Sequence, residues 1–236
     1  PRLALERGRD YLWMADAAQA PAPDWAVDVG ARLGNYPTDN LPVTGEITAG
    51  ETALYIFTSG TTGLPKAAIM AHRKLLVAGS SFGPAGFRLQ PTDCLYLCLP
   101  IFHITGLGPG FCAFMAGGGS IFLRRNFSAS RFWPEVQQYQ TNCFIYVGEL
   151  CRYLVAREPC PEEKDNPLTK VVGNGLRPDI WDDFKQRFGI ERICEIYGSS
   201  EGNVNFVNLL NKDRTIGAAL TPVAVVQYDA DSDSIP

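Results

Sequence analysis

Tyr55-Ile56-Phe57-Thr58-Ser59-Gly60-Thr61-Thr62-Gly63-Leu64-Pro65-Lys66 changes character at its midpoint, from an apolar, aromatic run suited to a buried strand to a loop of hydroxyls and glycines closed by a lysine. That composition suits phosphate. Gly60 and Gly63 allow backbone conformations and approach distances that a side chain forbids, so main-chain N–H groups can converge on oxyanions. Thr58, Ser59, Thr61 and Thr62 add hydroxyl donors, and Lys66 adds a compact positive charge. The spacing differs from a Walker A loop, because Pro65 precedes the lysine and Ala67 follows it. A surface turn uses the same residue types. Here, however, one strand-like run leads in and a second, Ala67-Ala68-Ile69-Met70, leads out.

The bulk of the chain bounds what surrounds this loop. Its 236 residues with 46% hydrophobic content can bury a sizeable core, and a net charge of −4 supplies no basic field for nucleic acid. Cysteines 94, 98, 112, 143, 151, 160 and 194 are scattered without zinc-site spacing and read as reduced core residues of a cytoplasmic protein. His72 and His103 are the only candidate bases for a catalytic thiol, which makes that the lesser reading. Pro1 opens the chain without an initiator Met or an apolar leader, so the sequence reads as an internal fragment. Cys94 to Leu123 carries no charged residue, but Pro100, Pro109 and Gly117 to Gly119 predict strand, loop, short buried helix and strand rather than a membrane span.

In chain order, residues 1 to 50 read as a connector, with a helix-like piece from Leu3 to Ala18 and then prolines at 21, 23, 37 and 42. Helices are expected over Lys74 to Phe82, over Ser128 to Gln140 with a Ser cap, over Glu149 to Arg157 and over Asp179 to Phe188. Strands are expected over Cys94 to Leu99, Ser120 to Leu123, Cys143 to Val147, Lys170 to Val172 and Ile193 to Tyr197. This alternation predicts an α/β fold, a mostly parallel sheet flanked by helices on both faces, spanning residues 51 to 228. Residues 229 to 236, with an acidic stretch from Asp229 to Ser234, read as the start of a following region. Ligands in such sheets bind beyond the carboxyl ends of the strands. The phosphate loop, Pro100 to Gly106, Gly173-Asn174-Gly175 and Tyr197 to Glu201 each follow a predicted strand.

Tyr197-Gly198-Ser199-Ser200-Glu201 places an aromatic face, a tight turn, hydroxyls and a carboxylate together. The ring can stack on a purine, Ser200 can donate to a phosphate, and Glu201 is a hard ligand suited to Mg²⁺. This motif and the phosphate loop together resemble the superfamily of acyl-CoA synthetases, luciferases and peptide-synthetase adenylation domains, with Ala67 where glycine is usual and Ser200 where threonine is usual. Phe127-Ser-Ala-Ser-Arg131-Phe-Trp133, Tyr146-Val-Gly-Glu149 to Leu154 and Gly173-Asn-Gly-Leu-Arg177 are similar to the very-long-chain acyl-CoA synthetase and fatty acid transport protein branch. The resemblance implies part of a large N-terminal adenylation domain. It places Mg²⁺ on Glu201 and Thr58, and adenine between Tyr197 and Gly173 to Gly175. Ser59 to Gly63, Lys66 and Gly198 to Ser200 are the further nucleotide-binding positions. His103 matches a position on the path between acyl site and phosphates. Lys66, His103, Ser200 and Glu201 are the candidate catalytic residues.

By the same resemblance, a fatty carboxylate attacks the α-phosphate of ATP to give an acyl-adenylate and pyrophosphate, and the thiol of coenzyme A then displaces AMP. The superfamily's ribose-binding aspartate, hinge and C-terminal domain with its lysine are not found before Pro236, so residues 1 to 236 are not expected to complete thioester synthesis alone. The apolar strands offer no clear acidic partner for an amino acid substrate, which favours a fatty or other apolar acid. A noncatalytic fatty-acid carrier is the competing class, and an aryl or carnitine-like acid the competing substrate. Lys66 and Glu201, both present, favour the enzyme. Oligomeric state and peripheral membrane contact are left open by the sequence.

Overall fold

The structure, a computed structural model, describes residues 4–15, 21–58, 66–200, 202, 204–219, 221–224, 226–229 and 231–232. The chain divides into two compact units, Pro1–Ile47 and Thr48–Pro236. In the first, β1 (Leu12–Trp13) pairs in parallel with β2 (Val27–Asp28), and Tyr11 meets Trp25 edge-on at 5.3 Å. Short 3₁₀ segments follow at Gly30–Asn35 and Pro42–Gly45. The helix expected from Leu3 to Ala18 does not form over the described residues 4–15, which are turn and strand. Gly8 is the reason: its φ of +76° lies in the left-handed region, and its amide donates to the Trp25 carbonyl instead of to a preceding helical turn.

The second unit begins with β3 (Thr52–Thr58) and β4 (Lys66–Ala71), which pair antiparallel in a two-stranded sheet of their own. The expectation that the phosphate loop follows a strand is met, but that strand is not part of the parallel sheet. A parallel pairing needs a crossover of a dozen or more residues, and the connection over 59–65 is too short to return the chain in any sense but the antiparallel one. Alternation sets the hairpin's faces: Ile56, Ala68 and Met70 are buried, whereas Tyr55, Phe57 and Ile69 are exposed.

The chain then runs through α1 (His72–Ser81) into a π-turn at Phe82–Phe87 and on to β5 (Cys94–Leu97). A second π-turn at Gly106–Cys112 leads into α2 (Ala113–Gly117) and β6 (Ser120–Leu123). Pro109, expected to interrupt this apolar stretch, sits inside the π-turn, whose wider ring absorbs the missing donor. No helix among the described residues is long and apolar enough to cross a membrane. There follow α3 (Phe132–Tyr139), β7 (Cys143–Val147), α4 (Gly148–Val155), β8 (Lys170–Asn174), α5 (Pro178–Arg187), β9 (Arg192–Tyr197), β10 (Phe206–Val207) and β11 (Ala218–Ala219). The start of α3 corrects the expected Ser cap. The helix begins at Phe132 without a side-chain cap, Ser128 instead closes a turn with the Arg131 amide, and Pro134 falls in the first helical turn, where no donor is required.

The main sheet has the order β11-β10-β9-β8-β7-β5-β6, parallel from β9 through β6 and antiparallel at β10 and β11. Burial on both faces explains the near-continuous apolar strands. Tyr96, Phe144, Tyr146, Val171 and Ile193 pack against Trp133, Cys151, Leu154, Trp181 and Phe184 of α3, α4 and α5. Their neighbours Leu95, Leu97, Cys143, Ile145, Val172 and Cys194 point the other way, against Phe87, Ala113 and Phe114. The seven cysteines are free thiols, as expected. Burial pushes Cys98 up to about 12 and Cys194 up to about 11, which keeps both protonated and inert.

The amino end of the sheet is tied by a polar cluster. Buried Asp93 accepts from Lys170 Nζ at 2.7 Å, Asn142 Nδ2 at 2.7 Å and the Gln90 amide at 2.8 Å. Burial alone would raise the Asp93 carboxyl, but these donors outweigh it and hold its pKa below the usual carboxylate value. A depressed carboxylate pKa contributes stability that is present above the unfolded value and lost as pH falls through the folded one. Lys170→Met is therefore expected to cost roughly 2–3 kcal/mol at neutral pH. In urea unfolding followed from pH 7 downward, that deficit should shrink below the ordinary Asp value of 3.8. A deficit independent of pH would show that Lys170 acts through packing instead.

Candidate active site

Three strands carry one row of residues across the middle of the sheet: Tyr146 is opposite Gly173, and Gly173 is opposite Glu195. A Cβ on Gly173 would lie 2.2 Å from the Tyr146 carbonyl and 2.7 Å from its ring, so only glycine lets the tyrosine lie across the middle strand. The Tyr146 hydroxyl then donates to Glu195 Oε2 at 2.5 Å. The other Glu195 oxygen accepts from the amide of Gly175 and, at 3.2 Å, from that of Leu176. Burial raises the Glu195 pKa, and these donors only partly oppose it. Burial likewise pushes the Tyr146 phenol well above its ordinary value. The result is a rigid turn at the carboxyl end of β8, with Gly175 at a φ of +84° and Asn174 held at the rim.

Around that rim the chain encloses a cleft of about 460 Å³, within the range of small-molecule sites. Asn174, Thr105, Tyr197 and Gly198 to Ser200 line it at the carboxyl edge of the sheet. Thr105 Oγ1 lies 3.5 Å from Asn174 Oδ1, joining the loop after β5 to the turn after β8. Tyr197 leaves 60% of its surface exposed, with its ring edge-on to Phe206 at 6.1 Å, so one aromatic face is free for a ligand. The Ser199 hydroxyl accepts from the Gly202 amide at 3.1 Å and shapes the turn. One stripe of α1 and its π-turn, Lys74, Val77, Ala78, Ser81, Phe82 and Ala85, forms the opposite wall at helical spacing. Among the described residues the charged groups on the wall are Arg73 and Lys74, and most of the rest is apolar.

The predicted site residues fall into distinct places. Asn174, Tyr197, Gly198, Ser199 and Ser200 come together on the cleft wall. Gly173 is buried beneath Tyr146 and serves the sheet. Thr58 and Lys66 end the two strands of the hairpin opposite each other, with the Thr58 hydroxyl 3.5 Å from the Lys66 carbonyl. Ser59, Gly60, Thr61, Thr62, Gly63 and Glu201 lie outside the described residues. His103 is exposed in the turn after β5, its ring 4.7 Å from that of Phe102. Its neighbours Ile104 and Thr105 line the cleft, and His103 does not. Glu195 and the α1 stripe are what the sequence reading missed. A carboxylate inside an apolar strand was the signal for the first, and the spacing of Val77, Ala78, Ser81 and Phe82 for the second.

A profile for AMP-binding enzymes matches residues 6–235. The chain belongs to the AMP-binding enzyme family. It is 44% identical over 205 residues to the medium/long-chain-fatty-acid–CoA ligase FadD6 of Mycobacterium tuberculosis, covering 87% of this chain and 34% of that protein. Against the human long-chain fatty acid transport protein 3 the identity is 38% over 227 residues, covering 93% and 33%. The chain thus spans about a third of the length of these curated relatives. Among solved structures, an ATP-bound RpMatB-BxBclM chimera superposes with a TM-score of 0.63 at 26% identity, over 80% of this chain and 38% of that one. ATP-bound MatB from Rhodopseudomonas palustris gives 0.64 at 24% identity over the same shares, a likeness of fold. The parallel α/β architecture is thereby that of adenylate-forming enzymes, and this AMP-binding chain represents part of their large domain.

Removing the buried carboxylate tests the frame of this site. Glu195→Ala leaves two amides and a phenol without their acceptor and is expected to lower stability by roughly 2–4 kcal/mol, whereas Glu195→Gln keeps an acceptor and loses less. Urea denaturation of the two variants measures the difference, and equal losses would argue against the hydrogen bonds as the cause.

Proposed function

We propose that this chain forms the nucleotide- and acyl-binding part of an AMP-forming fatty acyl-CoA ligase acting on long- or very-long-chain acids. The observation that carries this is the cleft itself: a largely apolar cavity whose mouth is built from the Tyr197 to Ser200 turn and Asn174. An apolar tail and a nucleotide can thus be bound side by side, with the carboxylate between them. The names of the FadD6 and fatty acid transport relatives support a fatty acid as the tail-bearing substrate.

In this reading Tyr197 offers its exposed ring to adenine, and Asn174 offers its amide at the same rim. Lys66 neutralises the polyphosphate from the end of β4, and Ser200 donates to a phosphate oxygen. The carboxylate attacks the α-phosphorus, its new P–O bond forming as the bond to pyrophosphate breaks. Coenzyme A then enters as co-substrate, its sulfur replacing AMP on the acyl carbon. Holding two anions in line is the main task, and fixed donors serve it because they need no reorganisation. The hydroxyl of Thr58 and the carboxylate of Glu201 are hard-oxygen donors of the kind Mg²⁺ takes; they would hold it, and when bound it would offset phosphate charge. The same reading places the protein in the cytoplasm, with the fatty acid collected at a membrane surface, as the fatty acid transport names suggest.

Acid-dependent ATP–pyrophosphate exchange by the full-length protein checks the proposal. Exchange should peak with long saturated acids, be weak with aromatic acids, and fall by at least about a thousandfold in Glu201→Ala, the scale of losing a dominant electrostatic contact. Near-normal exchange in a folded Glu201→Ala variant would overturn the metal assignment. No exchange with any acid, alongside measurable fatty-acid binding, would favour the carrier.

A further inference from the structure

Arg192, the first residue of β9, is 6% exposed. Among the described residues its hydrogen-bond partners are backbone carbonyls and not carboxylates: Gly86 at 2.6 Å from Nε, and Ala85 at 2.7 Å and Leu209 at 3.2 Å from Nη2. Its Nη1 is buried with no hydrogen-bond partner among the described residues. Ala85 and Gly86 lie in the last turn of the α1 π-extension, where the chain turns away at Arg88 with a φ of 51°. Carbonyls at a helix end have no intrahelical donor, and a cation there is favoured by the aligned peptide dipoles. The guanidinium therefore caps this helix and ties it to the segment after β10.

Two of the residues so tied, Ala85 and Leu209, also line the cleft. Register places Leu209 below its mouth, and the shared Arg192 guanidinium places Ala85 near Leu209. Phe206 is opposite Tyr197, Val207 is opposite Ile196, and the Asn208 amide bonds to Glu195, so Leu209 continues toward the amino end of β9. Leu209 is thus level with Cys194, and from Tyr197 to Cys194 the strand advances about 10 Å at ~3.3 Å per residue. The cleft is thus nucleotide-facing at one end and, at the other, is bounded by a small side chain and a leucine clamped from behind by a buried arginine.

We propose that Ala85 and Leu209 form the terminus of the acyl-tail cavity, and that Arg192 is the positioning residue that holds this terminus in place and so limits the length of acid the protein accepts. This rests on the cleft binding an apolar acid tail, as proposed above. The deep end is small because residue 85 is alanine, and it keeps its depth because its backbone is cross-linked across two elements. Arg192 touches no substrate in this scheme.

The test uses the full-length protein and saturated acids from octanoate to docosanoate, with displacement of a fluorescent fatty acid and ATP–pyrophosphate exchange measured in parallel. Ala85→Leu is expected to weaken binding of the longest acids by about tenfold, the scale of losing two buried methylenes, while octanoate changes less than about twofold. Arg192→Met should flatten the dependence on chain length, and Arg192→Lys, which can still reach a carbonyl, should restore part of it. Ala85→Leu remains informative if Arg192→Met does not fold. Equal losses for short and long acids, or an unchanged length profile in folded Ala85→Leu, would overturn the proposal. Length-dependent binding that responds to Ala85→Leu without exchange in the wild type would support the terminus while overturning the ligase reading. Failure of every acid to displace the probe would overturn both.

Discussion

A carboxylate inside a parallel sheet must find donors, and Glu195 finds them in the amides of Gly175 and Leu176 and in the Tyr146 hydroxyl. Much of the site depends on that satisfaction. It fixes the turn at the end of β8, which in turn holds Asn174 at the cleft and near Thr105. It also joins β7, β8 and β9 through side chains as well as through their ladders, at the carboxyl edge that borders the cleft. Burying a carboxylate is unfavourable, and here the expense is offset by three donors that satisfy it and fix the turn.

The two ends of the sheet are held by different chemistry. At the amino end Asp93, Asn142 and Lys170 form a polar knot, and Arg192 closes the carbonyl-rich end of the α1 extension. At the carboxyl end the strands run out into turns of glycine, serine and asparagine, whose side chains and backbone are left to face the cleft. Rigid anchoring at one end and ligand-facing loops at the other is what a parallel α/β sheet provides, because every strand in its central part ends on the same side.

The phosphate-loop hairpin follows another logic. Its short connection compels antiparallel pairing, and its buried face, Ile56, Ala68 and Met70, forms a separate small cluster with Ile104 and Leu107. Thr58 and Lys66 are thereby set as a pair at the hairpin tip, independent of the strand order of the main sheet.

Much of this was written in the sequence. Alternating apolar runs and helical stretches specify the parallel sheet and its two covered faces, because strands buried on both sides have to be apolar throughout. The hydroxyl-glycine-lysine loop and the Tyr197 to Glu201 motif carried the resemblance to the AMP-binding enzyme family, because few other residue sets combine amides, hydroxyls and a hard carboxylate so closely. What the sequence could not show was long-range. Nothing local marks Gly173 as the gap through which Tyr146 reaches Glu195, since those residues are adjacent only after three strands align. Gly8 reads as one residue of a helical stretch until its amide meets Trp25. Ser128 reads as a cap until Pro134 and the turn at Arg131 shift the helix start. The wall of the cleft, made from α1 on one side and β9 and β10 on the other, exists only once those elements have packed together. Local patterns determined which elements form; tertiary packing decided which side chains face the cleft, because burial and register depend on partners far away in the chain.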